Sequence, residues 1–61
     1  MPPEFKIGQR VTHKQDAAQS VHRVTAVLPQ DTGEYKYRIR RLNTDQDIVV
    51  AEGELSASRE L

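Results

Sequence analysis

"YKYRIRR", residues 35–41, decides the fold, because its residues alternate without a break. Tyr35, Tyr37 and Ile39 share one parity, and Lys36, Arg38 and Arg40 share the other. A period of two is the signature of a strand with one buried and one wet face. Its partner follows directly. "LNTDQ" (42–46) turns the chain and "DIVVAEGEL" (47–55) runs back until Gly53 breaks it. In that hairpin Asp47 falls opposite Arg40 or Arg41, and Glu52 returns near Tyr35 or Lys36. Ile48-Val49-Val50 holds one apolar residue more than alternation needs. Either Ile48 and Val50 point inward with Val49 exposed, or the reverse.

Upstream, "SVHRVTAVLP" (20–29) sends two signals. Val21, Val24, Val27 and Leu28 have helix-like spacing, whereas three valines, a threonine and the terminal Pro29 favour a strand. The segment is read as a strand with a bulge. "FKIGQRVTHK" (5–14) opens on Phe5 and Ile7, then Gly8, which suits a turn or bulge at positive φ. Gln9 to Lys14 is expected as the first strand. "QDAAQS" and "PQDTGE" read as loops, the latter with turn chemistry at Asp31-Thr32-Gly33. Residues 1–4 and 56–61 are expected as terminal tails, the second as a polar end or one helical turn. The expectation is an all-β, partly open antiparallel barrel of four to five strands over residues 5–55. Its core draws on Phe5, Ile7, Val11, Val24, Val27, Tyr37, Ile39, one or two of Ile48 to Val50, and Leu55.

Composition bounds the function. Sixty-one residues make one domain. A chain this short needs a compact core, and with no cysteine it has neither disulfides nor thiolate zinc sites to help it. The longest apolar run, Ile48 to Ala51, is far below a membrane span, and "MPPEFKIGQ" has no apolar core of a secretory signal. A cytoplasmic protein without membrane contact is expected. Net charge is zero, which argues against a general polyanion binder. The charge is nonetheless uneven: residues 1–41 carry eight Lys/Arg against four Asp/Glu, and residues 42–61 carry one against five.

The pattern "F-x-x-G-x-x-V" at Phe5, Gly8 and Val11 resembles the opening of many SH3-like barrels, the group that includes Tudor and KOW modules. With "VLP" (27–29), "GE" (33–34), "YRIR" (37–40) and "VVAEGEL" (49–55), the chain resembles short uncharacterised bacterial cytosolic proteins of SH3-like fold. The resemblance covers roughly Phe5 to Leu55 and implies the barrel, but it lends no activity. Two positions depart from the pattern: His22 stands where an aromatic is expected, and Ile48 where a basic residue is. A Tudor-type cage needs several aromatics around a methylated cation. The chain has only Phe5, Tyr35 and Tyr37, all accountable as core.

Lys36, Arg38 and Arg40, about 7 Å apart along one strand face, could follow a phosphate backbone, with Tyr35 as a stacking surface. The commoner outcome, and the leading one for this strand, is a solvated outer face answered by acids on its neighbour. Arg23, with Arg10 and Lys14, would extend the basic patch only if their strands lie beside the third. His13 and His22 have no metal-ligand spacing, and Ser20, Ser56 and Ser58 lack a positioned His–Asp partner. No catalytic residue, metal site or cofactor is expected. The first functional expectation is a non-catalytic, monomeric or weakly dimeric module that binds a protein partner through its barrel edge or loops. The second is weak, salt-sensitive RNA or DNA binding through Lys36, Arg38, Arg40 and Arg23.

Overall fold

The structure, a computed structural model, describes residues 2–29 and 33–58. Five strands form one antiparallel sheet: β1 (Arg10–His13), β2 (Val21–Leu28), β3 (Lys36–Arg41), β4 (Asp47–Ala51) and β5 (Leu55–Ala57). Their order is β4-β3-β2-β1-β5, so β4 and β5 are the two edges and the curled sheet is a partly open barrel. A 3-10 turn, Glu52–Glu54, joins them. The all-β class and the upper strand count therefore hold.

The ambiguous segment is a strand, and its bulge explains the ambiguity. β2 pairs with β3 from His22↔Arg41 to Leu28↔Lys36, with a register shift between Val24 and Ala26. The extra residue, Thr25, returns Val27 to the face of Val24 at a helix-like spacing of three. Its hydroxyl donates to the Arg38 carbonyl at 3.0 Å, bridging the interrupted ladder. The bend lets one long strand serve two neighbours, β1 across Val21 to Arg23 and β3 along its length.

Alternation in β3 puts Tyr37 and Ile39 inside, fully buried with Val11 and Val24. Phe5, Val50 and Leu55 complete the buried cluster, and Val27 and Tyr35 pack against it. Phe5 meets Tyr37 edge to face, ring centres 5.5 Å apart. Of the alternatives for β4, Val50 lies opposite Tyr37 and Ile48 opposite Ile39, on the inner face, while Val49 faces outward beside Arg38.

Ile7 corrects the expected core, being 68% exposed. The Gln9 amide donates to the Lys6 carbonyl at 3.0 Å, and Gly8 has φ +89°, so Ile7 and Gly8 form the corner of a turn. A residue at a turn corner has no sheet face, and the alternation from Phe5 stops there. The chain ends also differ from expectation. The Glu4 amide donates to the Tyr37 hydroxyl at 3.1 Å and to Glu52 Oε2 at 2.8 Å, which ties down the lead-in. β5 continues through Ser56 and Ala57, and the Ser58 amide donates to the Arg10 carbonyl at 3.0 Å. Ser56 and Ala57 thus belong to the sheet, with Ser58 bonded to its β1 neighbour, because the outer side of β1 needs hydrogen-bond partners. Residues 59–61, and Asp31 and Thr32 of the expected turn, lie outside the described residues.

Candidate nucleic-acid interface

The register assembles what the sequence left scattered. Arg10 pairs with Arg23, Arg23 with Arg40, and Arg40 with Asp47. Directly opposed residues of antiparallel strands point to the same face, so these four form one row across β1, β2, β3 and β4. The row lies outside: Val11, Val24 and Ile39, its neighbours in sequence, are buried on the other face. Lys36 and Arg38 extend it along β3, opposite Ala51 and Val49. Lys14 does not join. It lies past the end of β1, and its amide donates to the Glu54 carbonyl at 2.9 Å.

On this face Asp47 answers Arg40. Arg40 Nε donates to Asp47 Oδ1 at 2.6 Å, and Nη2 donates to Oδ2 at 3.4 Å. Asp47 is therefore opposite Arg40 rather than Arg41. That guanidinium holds the Asp47 carboxyl below the usual carboxylate range. Arg23 and Arg38 make no ion pair among the described residues. Of the four residues expected to bind nucleic acid, Lys36, Arg38, Arg40 and Arg23 all share the outer face, and one of them is paired.

Tyr35 does not join them. It packs against the core, on the parity opposite the arginines. The expected stacking surface is thus absent from the basic face, since the barrel needs that ring to cover its own interior.

A cleft of about 210 Å³ opens at the end of β3, lined by Arg23, Thr25, Arg40, Arg41, Leu42, Asn43 and Thr44. Sequence spacing could not find it, because it depends on the turn that follows Arg41. Asn43 takes φ +70° there, and Thr44 returns its amide and hydroxyl to the Arg41 carbonyl at 3.2 and 2.9 Å. A second cleft of about 160 Å³, lined by His22, Arg41, Thr44, Gln46 and Ile48, lies on the inner side of the same turn. His22 is buried, and its Nδ1 lies 2.9 Å from the Ser20 carbonyl, a structural role. His13 Nε2 lies 3.2 Å from Glu54 Oε1 across the β1–β5 seam.

Among the described residues no three of His, Cys, Asp and Glu gather at metal-binding distance. No helix among them is long and apolar enough to cross a membrane. Comparisons with protein-family models, curated proteins and solved structures find no match to this chain.

Proposed function

We propose that this chain is a non-catalytic module that binds the phosphate backbone of a nucleic acid with its outer face. The observation that carries the reading is the in-register pair of Arg23 and Arg40, flanked by Arg38 and Lys36 on the same face. Like charges directly opposite each other destabilise a sheet. A row of them is favourable once phosphates supply the counter-charge and release their own counterions. Lys36, Arg38 and Arg40 stand about 7 Å apart along β3, and the neighbouring strand about 4.8 Å away adds Arg23. Without an aromatic on that face, binding rests on phosphate contacts and not on stacked bases, so it is insensitive to sequence. Kinship with SH3-like barrels belongs to the same proposal and is supported by the five-stranded, partly open architecture.

The test is amide NMR of the full chain with a short single-stranded RNA and a duplex DNA, at low and physiological salt. Shifts are expected on β2 and β3 at low salt and should fade as salt is added. Arg23→Ala and Arg38→Ala should each lower the slope of log affinity against log salt by about one. No shifts at low salt, where such binding is strongest, would sink the reading.

The second reading, a protein contact through the barrel edge, has its own observation. β4 pairs on one side only, and Ile48 and Val49 there are 43% and 53% exposed. An unpaired apolar edge is open to strand addition by a partner. Salt would leave that contact intact.

A further inference from the structure

The geometry points to a terminal phosphate of a nucleic-acid strand as the ligand of the cleft formed by Arg23, Arg40, Arg41 and Asn43, at the end of the basic row. This inference rests on the backbone reading and adds to it a place where a strand ends.

The charge arrangement changes along the face. On β3 the cations come one at a time, Lys36, then Arg38, then Arg40, each about 7 Å from the last. That spacing offers one positive charge per phosphodiester, which carries one negative charge. At the turn three guanidiniums line a single cleft, and none of the described residues lining it is an acid. Arg40 is partly neutralised by Asp47 on the β4 side. Arg23 and Arg41 make no ion pair among the described residues. Asp16, which feels the field of Arg41, has its carboxylate engaged by the amides of Ala18 and Ser20. Asp45 acts on Arg40 only through its field. Two unanswered guanidiniums exceed what one diester needs. They match a phosphomonoester, which carries about 1.5 to 2 negative charges at neutral pH.

The size agrees. At about 210 Å³ the cleft is below the range of about 300 Å³ and upward that holds a whole small molecule. A phosphate with the first part of its sugar is a ligand of the right scale. Donor geometry narrows the contacts. The hydroxyls of Thr25 and Thr44 already donate, to the carbonyls of Arg38 and Arg41, so neither is the donor for a phosphate. The planar forks of Arg23 and Arg41 and the side-chain amide of Asn43 fill that role. Arg40 lines the cleft as well, held by two bonds to Asp47. A strand seated by its end at Arg41 would run back along Arg40, Arg38 and Lys36.

The experiment compares three oligonucleotides of one sequence, bearing a 5′-phosphate, a 3′-phosphate or hydroxyls at both ends. Their binding to the full chain is followed by fluorescence anisotropy at fixed low salt, with Arg41→Ala and Arg38→Ala beside the natural chain. One phosphorylated end should bind about tenfold tighter than the hydroxyl form, as charge-assisted hydrogen bonds to a dianion imply. Arg41→Ala should erase that preference while keeping most of the affinity for the hydroxyl form. Arg38→Ala, outside the cleft, should weaken all three ligands alike and keep the ratio. Equal binding of all three would overturn the end site and leave the backbone reading standing. A preference that survives Arg41→Ala would also overturn it, because the discriminating group would then lie elsewhere. No binding of any ligand would overturn both.

Discussion

Tyr37 ties the segment before β1 and the 3-10 turn to the core through one oxygen. Its hydroxyl accepts the amides of Glu4 and Phe5 and donates to the Glu52 carboxylate, which also takes the Glu4 amide. The Tyr37 hydroxyl and the Glu4 amide hold the Glu52 carboxyl below its ordinary value of 4.5. Burial, then the bond to Glu52, raises the Tyr37 hydroxyl above its ordinary 10.0. The folded chain thus keeps Glu52 ionised and Tyr37 protonated more firmly than the unfolded chain does. The latch contributes fully between about pH 4.5 and 10. It is lost on the acid side as pH falls through the folded Glu52 value, and on the alkaline side as pH rises through that of Tyr37. Denaturant melts across this range should show both limbs. Tyr37→Phe should lower stability at neutral pH by about 1–3 kcal/mol and flatten both limbs, because it leaves the Phe5 amide unsatisfied.

At the scale of elements, two features set the shape, a turn and an edge. Gly8 holds φ +89° between Phe5 and β1, and an added Cβ there would meet nothing within 4 Å. Gly8→Ala therefore isolates backbone strain from packing and should cost about 1–2 kcal/mol in a thermal or denaturant melt. At the other edge, Val49 is half-exposed on the outer face of β4. Val49→Lys should leave stability within about 0.5 kcal/mol, since no buried contact is lost. A lysine on an open edge also opposes strand addition. If β4 carries the protein contact, sedimentation of that variant should show less self-association than the natural chain; an unchanged distribution would remove the edge from consideration.

For the whole molecule, zero net charge conceals a polarised surface. The basic segments fold onto one face because β1, β2 and β3 are consecutive neighbours, while Asp47, Glu52 and Glu54 go to three different places. Asp47 terminates the arginine row, Glu52 joins the latch to Tyr37, and Glu54 faces His13. Glu34 binds the Gly53 amide at 2.9 Å, holding the 3-10 turn against the loop before β3. The backbone reading makes Asp47 the antagonist of its own face. Asp47→Asn should raise affinity for a short duplex by roughly a factor of two to five at low salt, the size of an exposed ion pair. Anisotropy titrations read this directly, and a fall in affinity would mean that orienting Arg40 matters more than freeing it.

The sequence by itself determined the class and the hairpin. Alternation from Tyr35 to Arg41 fixes a two-faced strand whatever surrounds it, and Asp47 opposite Arg40 was one of two registers open to a short turn. It named Lys36, Arg38 and Arg40 as candidates, because alternate residues of one strand share a face, and Arg23 only on condition that its strand lies beside theirs. Strand order, however, is a long-range choice, so only the folded sheet could show that Arg10 and Arg23 stand beside Arg40 and that Lys14 does not. The same holds for Ile7, whose exposure depends on a turn closed by Gln9 and Lys6 rather than on its own hydrophobicity. Arg41 is the sharpest case. On the sequence it is one more cation after the pattern ends. In the fold it lies opposite buried His22 at the strand's last position, where the following turn brings it to the cleft with Arg23 and Arg40. Local periodicity reports which face a residue takes, but convergence on one point depends on where the chain turns and what it turns against.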